Sequence, residues 1–182
     1  MIVVSGWPRT GTSLLMQMLV AGGLEGLASD WTKTPKPHNP GGTWELHTLA
    51  GSALRVLKPI EGDRDVCVKV FWAPLAAVLR RGLRPAGVVF TDRQAEAAAR
   101  SRMAMSEGRI QPNPAMLRRT RSAALRELRL AHVPALELNL RHLVDAPLDA
   151  SRDLAAFLDP LVTVDLDPAA MARVPSPELL HH

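Results

Sequence analysis

Residues 2–21 read IVVSGWPRTGTSLLMQMLVA, and this stretch decides the fold class. Ile2 to Ser5 are apolar or small throughout, as in a strand buried on both faces. From Thr12 to Ala21 the spacing of Leu14, Leu15, Met18 and Leu19 predicts a helix, which Gly22 and Gly23 stop. Between these two elements Gly6 and Gly11 have the spacing of the GxxxxGK[ST] phosphate-binding loop. Such a turn points successive backbone N–H groups inward, and the following helix adds its own unpaired donors, so an anion can rest there. An ordinary glycine turn would satisfy the glycine spacing alone. The lysine of the pattern is replaced by Thr12, whereas Thr10, Thr12 and Ser13 supply hydroxyl donors and Arg9 a guanidinium fork. That set suits a phosphoryl or sulfuryl group better than magnesium-ATP hydrolysis.

Outward from the loop, strand-like and helix-like segments alternate. Residues 30–42, DWTKTPKPHNPGG, read as a loop of the length that usually serves a function. A helix is predicted over 44–57, a strand over 66–70, a helix over 73–83 and a strand over 87–91. A helix from about Gln94 to Ser106, an arginine-rich helix over 113–133, a strand over 134–140, a helix over 151–158 and a short strand over 161–165 complete the pattern. Alternation of this kind predicts βαβ units: a three-layer α/β/α domain with a mostly parallel central sheet. One domain is expected over residues 1–165, with a C-terminal tail over 166–182.

Bulk composition narrows the function classes. The 182 residues are 47% apolar, enough for a sizeable core. Lysine plus arginine total 22 against 18 acids, a balance that suits any anionic ligand. Aromatic residues are only 4%, with no tyrosine, so stacking platforms are few and no nucleic-acid partner is expected. The single Cys67 excludes an internal disulfide and a cysteine-based zinc cluster. No charged leader or long apolar stretch is present, which predicts a cytoplasmic protein with no membrane partner.

A second motif lies in VVFTDRQAEAAARSR. Arg93 follows a strand, and Ser101 comes eight residues later, about two helical turns on, with Arg100 and Arg102 beside it. On one face these groups can grip a second phosphate; the plainer reading is a solvated helix face. Asp92 sets a negative charge directly before Arg93.

Together the two motifs resemble those of sulfotransferases that use 3′-phosphoadenosine 5′-phosphosulfate. Pro8, Arg9, Thr10, Gly11, Thr12 and Ser13 match the family's PR[ST]GTS-type loop, and Arg93 and Ser101 match its second motif in type and spacing. Residues 135–158, ALELNLRHLVDAPLDASRDLAAFL, are similar to the family's segment in which a strand ends in a polar turn before a helix. The resemblance covers most of residues 2–158 and implies a P-loop NTPase-like sulfotransferase fold. It further implies that the loop holds the 5′-phosphosulfate, that Arg93 and Ser101 hold the 3′-phosphate, and that no metal is required. The acceptor would be a small molecule with a hydroxyl or amine group, releasing 3′-phosphoadenosine 5′-phosphate; neither its identity nor an oligomeric state is legible in the sequence.

On this resemblance Arg9 offsets charge on the moving sulfuryl group, and Lys69 meets the bridging oxygen as the bond to sulfur breaks. Lys69 stands at the end of a strand, where ligand sites of α/β sheets open, and a salt bridge at the sheet edge would equally explain it. Glu45 and His38 are both candidate bases, with His47 a third; Glu45 also reads as a helix first-turn acid and His38 as a surface histidine. Trp7, Trp31, Trp44 and Trp72 all lie near sheet-edge loops and are candidate walls of an apolar acceptor pocket or core residues. The competing functions are a P-loop nucleotide or small-molecule kinase, and a catalytically degenerate relative that only binds a nucleotide.

Overall fold

The structure, a computed structural model, describes residues 1–34, 42–45, 53–106, 108–109 and 113–175. In chain order the elements begin with β1 (Ile2–Ser5), α1 (Thr12–Ala21), β2 (Glu25–Leu27), α2 (Asp30–Lys33) and α3 (Ala53–Leu57). After a 3₁₀ turn at Lys58–Ile60 come β3 (Val66–Lys69), α4 (Trp72–Arg80), β4 (Gly87–Asp92), α5 (Ala95–Met105) and α6 (Pro114–Leu130). The last elements are β5 (Ala135–Asn139), α7 (Leu140–Asp145), α8 (Pro147–Leu158) and α9 (Pro168–Ala172). Among the described residues the strands form one sheet in the order β2-β3-β1-β4-β5, and every pair is parallel.

Strand periodicity divides the core in two. Ile2, Val4, Cys67 and Val89 face α1, α7, α8 and α9, whereas Val3, Val68, Val88 and Phe90 face α3, α4 and α6. The central strands β1, β3 and β4 are therefore apolar on both sides, as a sheet covered on both faces demands. The fold is the expected α/β architecture with a parallel central sheet flanked by helices.

β1 lies between β3 and β4. The chain leaves β1 toward the β2–β3 side and later places β4 on the other side, so the loops after β1 and β4 diverge. A crevice at the carboxyl ends of two such strands is where open α/β sheets bind ligands.

Several local expectations need correction. β2 is a short edge strand that has no apolar run of its own and exists through its pairing with β3 at Glu25–Val66 and Leu27–Val68. The predicted helix over 44–57 is helical only at Ala53–Leu57 among its described residues, because Trp44 holds a left-handed backbone at φ 52°. The helix expected at 151–158 is present as the later part of α8, which Pro147 opens one turn earlier, and the unexpected α7, capped by Asn139, precedes it. Residues 161–165 are no strand: the N–H groups of Thr163 and Val164 donate to the Asp65 carboxylate instead of a neighbouring strand. The stretch read as a tail contains α9, which packs on α1 and α8 with Met171 fully buried.

Candidate functional site

The loop between β1 and α1 is a turn held from both sides. The Thr10 N–H donates to the Trp7 carbonyl at 3.2 Å, and the Thr10 hydroxyl donates to the same oxygen at 2.7 Å. Pro8 and Arg9 occupy the two central positions, Arg9 with φ 75°, which is the arrangement of a type II turn. Glycine normally takes that second position; an arginine there costs about 1–3 kcal/mol, and backbone strain of this kind gathers at functional sites. Thr10 also shares a hydrogen bond with Thr91 of β4 at 2.9 Å, so the loop is fastened to the strand across the crevice.

Both motif glycines are required by their surroundings. A Cβ on Gly6 would stand 2.5 Å from the Thr91 hydroxyl oxygen and 2.6 Å from that of Thr10. Gly11 has φ 97° and caps α1, and a Cβ there would come 2.6 Å from the Leu140 Cδ1. The helix N-terminus is left without a side-chain cap, so its donors face the loop.

The second motif reaches the same place. The Arg9 Nε donates to the Ser101 hydroxyl at 3.1 Å across 92 residues of sequence, and the Arg93 Nη1 donates to the Arg9 carbonyl at 3.4 Å. Arg93 and Ser101, expected on a second phosphate, are seen here to brace Arg9. Burial lowers the Arg9 pKa, and the charges of Arg93 and Arg102 lower it further. For Arg93 burial again comes first, followed by Arg100 and Arg141. Asp92, the acid directly before Arg93, has its side chain on the Phe90 face of β4 and lies 3.8 Å from Arg121 of α6.

Lys69 completes the loop from the opposite strand. It pairs in register with Val4, and strand alternation sends its side chain to the α1 side with Cys67. There the side chain is 1% exposed, and its ammonium donates to the Ser13 hydroxyl at 3.2 Å, to the Thr43 carbonyl and to Glu45 Oε1 at 2.9 Å. Three acceptors satisfy a buried ammonium that would otherwise be costly. Of the two readings of Lys69, the geometry shows the salt bridge, to Glu45, and sets the ammonium against Ser13 at the start of α1. Residues 42–45 are strapped alongside, with Ser13 donating to the Thr43 carbonyl at 3.1 Å and Thr32 to the Glu45 carbonyl at 2.8 Å. His38 and His47 lie outside the described residues.

A cavity of about 290 Å³ opens beside Thr10 and Arg93, walled by Trp7, Trp72, Ala98 and Leu117. The Trp7 and Trp72 rings are tilted with centroids 6.3 Å apart, and Trp72 continues to Phe90 at 6.5 Å. Trp44 does not join them; its ring packs over Gly26 of β2. On α6, Arg118, Arg119, Arg126 and Arg129 are exposed, in keeping with a largely solvated helix face. Thr91 and Arg141 escaped the sequence reading; their only signal is position, Thr91 at the end of β4 and Arg141 just beyond β5.

No family model matches the chain, and no curated protein matches it. Among the described residues no helix is long and apolar enough to cross a membrane. Chemically, the site offers a glycine cradle, backbone and hydroxyl donors, a buried ammonium and a group of guanidiniums: the donor set of a site for an anion carrying more than one charge.

Proposed function

We propose that the protein is a sulfotransferase that moves a sulfuryl group from 3′-phosphoadenosine 5′-phosphosulfate to a hydroxyl or amine of a small-molecule acceptor. The observation that carries this reading is the junction of the two motifs, Arg9 donating to Ser101 while Arg93 donates to the Arg9 carbonyl. Gly11, Thr12 and Ser13 would hold the 5′ end with Pro8, Arg9 and Thr10 shaping the turn, and Arg93 with Ser101 would hold the 3′-phosphate. When bound, the cofactor supplies a sulfuryl group whose bond to the 5′-phosphate oxygen breaks as the acceptor's oxygen or nitrogen bonds to sulfur.

The chain's part is alignment and charge, the two demands of such a transfer. Lys69 brings its ammonium to Ser13 and so offsets charge that develops on the leaving oxygen, which keeps the bond's electron pair. Arg9, held by Ser101, offsets charge on the equatorial oxygens. Glu45 is 40% exposed on its side chain and takes the acceptor's proton, with His38 the other candidate base. The cavity beside Thr10, walled by Trp7 and Trp72, is where the acceptor's apolar body would lie.

Two measurements test the proposal. In calorimetry 3′-phosphoadenosine 5′-phosphate is expected to bind much more tightly than AMP or ATP, and a screen of hydroxyl and amine acceptors with radiolabelled cofactor is expected to yield labelled product. Equal affinity for the three nucleotides would sink the reading. Magnesium-dependent turnover of ATP would instead assign the site to a kinase, and tight cofactor binding without transfer to a degenerate relative.

A further inference from the structure

The pair of hydroxyls above Gly6 has a direction. Thr10 carries one hydroxyl proton, and at 2.7 Å it goes to the Trp7 carbonyl. The 2.9 Å contact between the Thr10 and Thr91 oxygens is then a bond in which Thr91 donates and Thr10 accepts. The Ser5 carbonyl, at 3.5 Å, is the more distant of the two acceptors beside the Thr91 hydroxyl. Thr91 is fully buried and Thr10 is 1% exposed, so bulk water reaches neither residue to replace a lost partner. A donor at Thr91 also polarises the Thr10 hydroxyl and strengthens the bond that it makes to Trp7.

Thr10 closes the Pro8–Arg9 turn, since its N–H and its hydroxyl both meet the Trp7 carbonyl. Arg9 holds φ 75° inside that turn, a conformation that a residue with a side chain keeps only when its surroundings impose it. Thr91 is a firm place from which to impose it. β4 lies between β1 and β5, where Phe90 pairs with Ser5 and Thr91 with Leu138. Thr91 therefore stands one step past the end of β1, level with Gly6, and strand alternation turns its side chain to the α1 side with Val89. The missing side chain of Gly6 leaves the space that both hydroxyls fill.

We propose that Thr91 is a positioning residue of the β1–α1 loop: by donating to Thr10 it holds the Pro8–Arg9 turn closed, in the shape that binds the anion and keeps Arg9 on Ser101. It acts through Thr10 and not on the ligand. The role rests on the loop being the anion site of the function proposed above; it does not require that the anion be a nucleotide.

The test compares wild type with Thr91→Ser, Thr91→Ala and Thr91→Val. Serine and alanine both lack the threonine methyl, so the difference between these two variants reads the hydroxyl alone, while valine keeps the shape and loses the donor. Calorimetric probes are 3′-phosphoadenosine 5′-phosphate, AMP and inorganic pyrophosphate, at a temperature where circular dichroism shows every variant folded. Thr91→Ala and Thr91→Val should bind the adenosine bisphosphate and pyrophosphate roughly threefold to tenfold more weakly than wild type, with Thr91→Ser within about twofold of it. In hydrogen exchange the Thr10 amide should open faster in Thr91→Ala than in Thr91→Ser, with the Val89 amide of β4 the same in both. Equal affinities in Thr91→Ser and Thr91→Ala, or a loss in Thr91→Val alone, overturn the role of the hydroxyl. Tight binding of the bisphosphate by every variant does so too and leaves the proposed function intact. If wild type binds the bisphosphate no better than AMP while pyrophosphate still depends on the Thr91 hydroxyl, the nucleotide reading fails and the Thr91 proposal stands. Wild type that binds neither the bisphosphate nor pyrophosphate overturns both.

Discussion

At the scale of single residues, the loop's glycines differ sharply from glycines elsewhere. Gly6 is walled by two hydroxyl oxygens, so Gly6→Ala must push Thr10 or Thr91 aside, whereas a Cβ on Gly62 would meet nothing within 4 Å. Gly6→Ala is therefore expected to cost about 1–3 kcal/mol in urea unfolding and to weaken bisphosphate binding, while Gly62→Ala stays within about 1 kcal/mol of wild type. A loss of the same size in both would show that the wall around Gly6 is soft. Cys67 makes a second residue-scale prediction. Burial in the strand pushes its thiol up to about 12, so no appreciable thiolate forms near neutrality. Iodoacetamide at about pH 8 should leave the native protein unlabelled and label it fully in denaturant; rapid native labelling would contradict the burial of β3.

Between elements, two junctions support the site and make separate predictions. Lys69 ties β3 to α1 and to residues 42–45, and its replacement by methionine leaves the Glu45 carboxylate and the Thr43 carbonyl without that donor. In Lys69→Met the amides of residues 43 and 45 should exchange hydrogen faster, and any transferase turnover should fall by roughly a hundredfold or more. Unaltered exchange would mean that the segment is held by Thr32 and Ser13 alone. The other junction is α9 against α1. Met171 is fully buried and lies over Gly22, where a Cβ would come 2.3 Å from its methyl carbon. Met171→Ala should cost about 2–5 kcal/mol by opening a cavity, which lowers the melting temperature by on the order of 10 °C at this chain length. An unchanged melting temperature would show that α9 is not part of the cooperative unit.

For the whole molecule, one charged junction ties the segment before β3 to the segment after α8 and bears on stability against acid. Asp65 accepts hydrogen bonds from the Thr163 hydroxyl, the Thr163 N–H at 2.7 Å and the Val164 N–H at 3.3 Å, and these bonds depress its pKa below the ordinary 3.8. A carboxyl depressed by folding contributes stability above its unfolded value and loses it as pH falls through the folded one. The melting-temperature gap between wild type and Asp65→Ala should thus persist from neutrality to about pH 4 and close below that; a gap independent of pH would assign the junction to packing instead. Much of the architecture was readable beforehand, because β1, α1 and the glycine turn are contiguous and their apolar periodicity is local. The edge strand β2 was not, since three residues without an apolar run become a strand only when β3 offers them partners. Likewise the sequence by itself determined that a glycine-rich, hydroxyl-bearing loop opens a parallel α/β fold, for glycine spacing, hydroxyls and helix pattern all lie within one short segment. Only the tertiary structure decided that Lys69 supplies the loop's buried charge, that Arg9 meets Ser101, and that Asp92 turns toward Arg121. Those facts depend on strand order and register, which bring together side chains far apart in the chain and send each one to a single face of the sheet.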